Sequence, residues 1–189
     1  YKFEFNQKFE EITIPSFDNK KLNGLLFKTP NPKGLIFYLH GNAGSLDSWG
    51  NNAEIYTNLG YDIFILDYRG FGKSEGEIED QEQVFKDISI AYDKVKSEYK
   101  NKESIIIGYS IGTGLATYLA SIKNPNKLIL QAPYYNFLEF STSRAPYFPD
   151  FLKKFQFETY KYITKVKAPI YIFHGNQDRL ISIENSRRL

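Results

Sequence analysis

Short, uninterrupted apolar runs recur along this chain, separated by amphipathic stretches. Leu35-Ile36-Phe37-Tyr38-Leu39, Asp62-Ile63-Phe64-Ile65-Leu66, Ser104-Ile105-Ile106-Ile107, Lys127-Leu128-Ile129-Leu130 and Ile170-Tyr171-Ile172-Phe173 are rich in β-branched and aromatic side chains. Continuous apolarity over so few residues predicts strands buried on both faces. Ahead of them, residues 9–15 and 22–28 alternate around Asp18-Asn19-Lys20-Lys21, which predicts a hairpin. Residues 47–59 read as helical. Residues 82–99 place Val84, Ile88, Ala91 and Val95 at helical spacing, and residues 113–120 form an Ala/Leu-rich helical run. Residues 133–167 are irregular and aromatic, with short helical pieces.

Strands alternating with helices predict an α/β fold: a mostly parallel sheet with helices on both faces and the hairpin antiparallel at one edge. Residues 1–189 read as a single domain. In such sheets, functional side chains gather beyond the carboxyl ends of the strands.

Composition changes this picture mainly by exclusion. Hydrophobic content of 42% and charged content of 24% are those of an ordinary globular chain. A net charge of +2 with scattered lysines argues against a nucleic-acid partner. There is no cysteine and there are two histidines, so neither a disulfide framework nor a dedicated zinc site is expected. No cofactor is implied. No apolar run reaches transmembrane length, and no signal peptide is visible. The chain also lacks methionine, even at position 1, and Ser186-Arg187-Arg188-Leu189 reads as the middle of a helix. Both features lead us to expect a piece of a longer protein, and methionines dropped from the sequence would explain the first.

The chemistry concentrates at Gly108-Tyr109-Ser110-Ile111-Gly112, between a buried strand and a helical run. A serine between two glycines at a strand-to-helix turn is the setting of a nucleophile elbow, with the hydroxyl projecting from the sheet edge. The motif alone has a real false-positive rate. Three further groups follow other predicted strands: His40-Gly41-Asn42-Ala43-Gly44, Asp67-Tyr68-Arg69-Gly70-Phe71-Gly72 and His174-Gly175-Asn176-Gln177-Asp178. Gly70-Phe71-Gly72-Lys73-Ser74 imitates a phosphate-binding loop, but the required first glycine is Asp67, and Glu75 and Glu77 would repel phosphate.

From about residue 9 onward, these four ordered motifs resemble the α/β-hydrolase superfamily. They are most similar to its small serine hydrolases related to Bem46, to the α/β-hydrolase domain 13 and 17 proteins, and to serine aminopeptidase-like (S33) domains. The resemblance implies Ser110 as nucleophile and Asp178 as triad acid, with the backbone N–H groups of Ile111 and Asn42 as oxyanion donors. Gly108 and Gly112 would allow helix and strand to close. His40 and Gly41 would support the oxyanion loop, with His40 and His174 in structural positions. Asp67 is a rival acid, but it heads a loop containing Arg69, so a structural hydrogen bond or ion pair is expected there.

In the family order the triad histidine follows the acid, and none follows Asp178. The general base and the final strand and helix are therefore expected beyond Leu189, and residues 1–189 alone should be inactive. The aromatic run Tyr134, Tyr135, Phe137, Phe140, Tyr147, Phe148, Phe151 and Phe155 falls where this superfamily inserts its cap. It reads equally as a short lid over an acyl pocket or as ordinary packing, and only a minimal cap fits.

The implied activity is hydrolysis of an ester, thioester or amide of a small-molecule or acylated substrate through an acyl-enzyme, with carboxylesterase action first. The alternatives are an acyl-protein or lipid thioesterase, a serine-aminopeptidase-type peptidase, and a non-catalytic binding protein on this scaffold. The location implied is the cytoplasm, or a membrane reached through an N-terminal segment.

Overall fold

The computed structural model describes residues 2–143 and 155–189. Seven strands form one sheet: β1 (Phe9–Pro15), β2 (Lys21–Phe27), β3 (Gly34–Leu39), β4 (Asp62–Leu66), β5 (Glu103–Tyr109), β6 (Lys127–Gln131) and β7 (Ile170–Phe173). Their spatial order is β1-β2-β4-β3-β5-β6-β7. The hairpin is antiparallel, β2 joins β4 antiparallel, and every pairing from β4 to β7 is parallel. This is the mostly parallel α/β sheet expected from the alternation of apolar and amphipathic runs, with the antiparallel hairpin at one edge.

Strands β3 to β6 divide their side chains between two cores, whereas in β7 Tyr171, Ile172 and Phe173 are exposed, against the expectation of burial on both faces. Leu35, Phe37, Leu39, Phe64, Leu66, Ile106, Leu128 and Leu130 pack with α3 (Gln81–Lys96) and α4 (Gly112–Lys123). The intervening Ile36, Tyr38, Ile63, Ile65, Ile105 and Ile107 pack with Leu46, Ala53 and Phe3 on the opposite face. The alternation of a strand's side chains between two cores explains why the interiors of these runs are apolar, with Asp62, Ser104 and Lys127 only at their first positions. Helix α3 starts at Asp80, whose carboxylate accepts from the Gln83 N–H at 2.8 Å, and ends with Lys94 and Lys96 in its last turn. Val84, Ile88, Ala91 and Val95 are buried, as their spacing predicts.

Residues 47–59 do not form the continuous helix expected of them. They split into α1 (Leu46–Trp49), a 3₁₀ turn (Gly50–Asn52) and α2 (Ala53–Thr57). Gly50 lies against the Phe5 ring, where an added Cβ would sit 2.4 Å from Cζ. Gly50, Asn51 and Asn52 are also poor helix formers.

The aromatic region contributes α5 (Phe137–Ser143) and α6 (Thr159–Ile163). Tyr134, Phe137, Phe140 and Phe155 are buried in the first core, and Tyr135 stacks on Tyr160 with ring centroids 4.8 Å apart. Tyr147, Phe148 and Phe151 lie outside the described residues. The chain ends in α7 (Glu184–Arg188). No helix among the described residues is long and apolar enough to cross a membrane.

Candidate active site

Parallel register brings the predicted residues to one edge of the sheet. Leu39 pairs with Gly108, Tyr109 with Gln131, and Gln131 with Phe173. The residues that follow, His40, Ser110 and His174, therefore emerge from strand ends at neighbouring positions. A cavity of about 680 Å³ lies beside this edge, lined by Tyr109, Gln131, Phe173, His174 and Asp178 and by Trp49, whose ring centroid is 5.4 Å from that of Tyr109.

Ser110 sits between β5 and α4 at φ +51°, in the left-handed region that strains a side chain with a Cβ. Its N–H donates to the Gln131 carbonyl at 2.9 Å, and its carbonyl accepts from Thr113 N at 2.9 Å and Thr113 Oγ1 at 2.6 Å. The turn closes because its flanking glycines lack side chains. A Cβ on Gly108 would lie 2.5 Å from the Gly112 carbonyl oxygen and 2.7 Å from Ala116 Cβ. One on Gly112 would lie 2.1 Å from the Leu39 carbonyl oxygen and 2.8 Å from that of His40. Gly112 thus lets the helix start press against the loop after β3, where the second oxyanion donor was predicted.

Ile111 precedes the first residue of α4, where backbone N–H groups lack intrahelical acceptors. Neither its N–H nor that of Asn42 has a hydrogen-bond acceptor among the described residues. Gly41 is wedged between aromatic rings: a Cβ there would lie 3.0 Å from Tyr109 Cδ1 and 3.3 Å from the Trp49 ring.

Asp178 is partly buried after β7. Its Oδ1 accepts the Leu180 and Ile181 N–H groups at 2.8 and 2.9 Å, while Oδ2 lies 3.6 Å from His174 Nε2. It therefore makes the local turn typical of an aspartate and keeps one oxygen outside that turn. His174 has both nitrogens engaged, Nδ1 with Ser186 Oγ at 2.5 Å and Nε2 with the Ile181 carbonyl at 2.7 Å.

His40 is fully buried, with Nδ1 2.7 Å from the Gly41 carbonyl oxygen. Its Nε2 faces Asp67 Oδ1 at 3.2 Å. The structural partner of Asp67 is thus His40. Arg69 turns away, donating to Asp87 at 2.6 and 2.8 Å and to Asp18 at 2.9 and 3.4 Å. These carboxylates hold the Arg69 guanidinium well above its ordinary pKa. Sequence reasoning missed Asp87, whose interruption of the apolar stripe of α3 was the available signal. It also missed Tyr68 and Trp49, whose ring contacts with His40 arise only in three dimensions. No group of three or more potential metal ligands occurs among the described residues.

The family model described as serine aminopeptidase, S33, matches residues 30–158, a span that includes His40, Asn42 and Ser110. The chain belongs to this family. Among its curated relatives are a lysophosphatidylserine lipase ABHD12 of Danio rerio, 28% identical over 86% of this chain and 47% of the relative. Another is the human α/β hydrolase domain-containing protein 17B, 29% identical over 85% of this chain and 56% of the relative. The chain spans about half the length of the curated relatives it matches.

The fold also matches that of an esterase of Pyrococcus furiosus, with a TM-score of 0.79 and 21% identity over 96% of this chain and 75% of the other. A serine hydrolase without lid from Xanthomonas campestris matches with a TM-score of 0.71 and 14% identity over 99% and 79% of the two chains.

Proposed function

We propose that this chain carries the nucleophile and oxyanion site of a serine hydrolase acting on carboxylic esters through an acyl-enzyme. One observation carries the proposal: Ser110 is held at φ +51° on a strand-to-helix turn closed by Gly108 and Gly112. A strained serine on a strand-to-helix turn is the setting in which a nucleophile's hydroxyl projects from the sheet edge.

In this reading Ser110 Oγ attacks the acyl carbonyl, and the charge developing on oxygen is met by the Ile111 and Asn42 N–H groups. Each such donor is worth about 3 kcal/mol in the transition state. Asp178 is the acid. Because its Oδ1 holds two backbone N–H groups, Oδ2 is the oxygen that would orient a histidine. Both histidines of residues 1–189 are engaged elsewhere, so the base is assigned to a histidine outside them.

Lipid-like acyl groups are the favoured substrate class. This preference rests on relatives described as lysophosphatidylserine lipases and on the aromatic wall formed by Trp49, Tyr109 and Phe173 beside the site. A fluorophosphonate probe on the full-length protein should label Ser110 and fail on Ser110→Ala. No labelling of the wild type would sink the hydrolase reading in favour of a non-catalytic scaffold. Activity on p-nitrophenyl esters that rises beyond acyl chains of about eight carbons, each buried methylene adding about 0.8 kcal/mol, would fit a lipid substrate. Preference for aminoacyl anilides would indicate a peptidase instead.

A further inference from the structure

His174 is the first residue after β7, and its side chain is only 2% exposed. The chain that follows folds around its ring. Nε2 lies 2.7 Å from the Ile181 carbonyl oxygen, and Nδ1 lies 2.5 Å from Ser186 Oγ. A carbonyl oxygen only accepts, so Nε2 carries a proton and donates it to Ile181. In the neutral ring Nδ1 is then the acceptor, and the Ser186 hydroxyl donates to it. Asp178 Oδ2, 3.6 Å from Nε2, is beyond hydrogen-bonding distance. The Nε2 proton is thus committed to the turn and not to the acid.

These contacts meet at Ile181. Its N–H donates to Asp178 Oδ1 at 2.9 Å, its carbonyl accepts from His174, and its side chain is buried in the first core. No other donor reaches that carbonyl among the described residues. His174 therefore holds the carbonyl of the same residue whose N–H holds Asp178. The far side of the ring is anchored independently. Ser186 belongs to α7, where Asn185 Oδ1 accepts the Tyr135 N–H at 3.0 Å and Arg188 donates to Glu139 of α5 at 2.8 and 3.2 Å. The Arg188 guanidinium carbon also lies 3.9 Å from the Tyr135 ring centroid. A rigid ring thus spans the distance between a fixed helix and the turn that carries Asp178.

We propose that His174 is a positioning residue for the triad acid: its Nε2–H holds the Ile181 carbonyl, which keeps the Ile181 N–H on Asp178 Oδ1 and leaves Oδ2 free to orient the base. The catalytic consequence rests on the hydrolase reading above; the hydrogen-bond arrangement does not. Without the donor, the buried Ile181 carbonyl would be unpaired, and the turn would shift to bring it to water. The carboxylate would move with the turn, and a misplacement of about 1 Å costs on the order of 100-fold in rate.

Two amide side chains separate this role from simple packing. Glutamine reaches as far as Nε2 and keeps a donor for Ile181, whereas asparagine ends at the depth of Nδ1 and leaves that carbonyl without one. In the full-length protein, kcat of His174→Asn on a p-nitrophenyl ester should be at least tenfold below that of His174→Gln, with the two KM values within twofold. Nitrogen-15 NMR of the wild-type His174 ring provides a readout independent of turnover, and Nε2 should be protonated.

A wild-type spectrum with Nε2 unprotonated would overturn the proposal without any variant, even if His174→Asn does not fold. So would folded variants whose kcat values differ by less than tenfold. If the wild type neither turns over ester nor labels with fluorophosphonate, the hydrolase reading fails and the catalytic role of His174 with it, and the NMR result still judges the His174–Ile181 contact.

Discussion

Arg69 Nε donates to Asp87 Oδ2 at 2.6 Å, and both side chains are only 2% exposed. The pair joins the loop after β4 to helix α3, and Asp18 and Ser16 extend it to the N-terminal hairpin. Removing Asp87 leaves the buried guanidinium with only the partly exposed Asp18 as its ionic partner, and removing Arg69 leaves the buried Asp87 with none. Asp87→Ala is therefore expected to destabilise the fold by about 3–5 kcal/mol in urea unfolding, whereas Arg69→Met with Asp87→Leu should recover much of that loss. A single-variant loss below about 1 kcal/mol would mean that water reaches the pair.

Asp18 takes part in the same network from the surface. The hydrogen bond from Arg69 holds its carboxyl below the ordinary aspartate value. A depressed carboxyl pKa stabilises the fold above the unfolded-state value, and that stabilisation is lost as pH falls through the folded-state value. The stability difference between wild type and Asp18→Asn should thus be full at neutral pH and shrink only below about pH 4, near the unperturbed aspartate value. Denaturant melts at pH 7 and pH 3 would measure it, and a difference independent of pH would contradict the Arg69 contact.

Backbone strain at Ser110 gives a stability test of its catalytic assignment. Glycine adopts positive φ at no steric cost, so Ser110→Gly should raise stability by about 1 kcal/mol and abolish fluorophosphonate labelling. Ser110→Ala keeps the Cβ and should lose labelling without that gain. Equal melting temperatures for the two variants would argue against strain at the elbow.

The close approach at Gly112 can be tested separately. An alanine methyl would meet the Leu39 and His40 carbonyl oxygens, which are backbone and cannot rotate aside. Gly112→Ala should cost about 1–3 kcal/mol and also slow turnover, because helix α4 and the loop after β3 would be forced apart. Gly175→Ala is a suitable control, since nothing lies within 4 Å of the added methyl. Comparable losses in the two variants would show that the effect is not the predicted collision.

The elements that were legible in sequence are those whose cause is local. Apolar runs such as residues 35–39 and 62–66 became buried strands because an interior strand must be apolar on both faces. The elbow was legible because a strand-to-helix turn this tight needs glycine on either side of Ser110, and both glycines lie two residues from it in the chain. The helix expected over residues 47–59 instead splits at Gly50-Asn51-Asn52, three poor helix formers, where the Phe5 ring packs against Gly50.

The sequence alone thus determined the order of the elements, the strand-end address of Ser110 and the family resemblance borne out by the S33 match. Only the tertiary structure decided which charges meet. Asp67 stands two residues from Arg69, yet it pairs with His40 from another strand end, and Arg69 reaches Asp87 on a helix and Asp18 in a hairpin turn. The reason is physical. Hydrophobic periodicity is set by neighbours along the chain, whereas a buried charge takes whichever partner the sheet register brings within hydrogen-bonding distance.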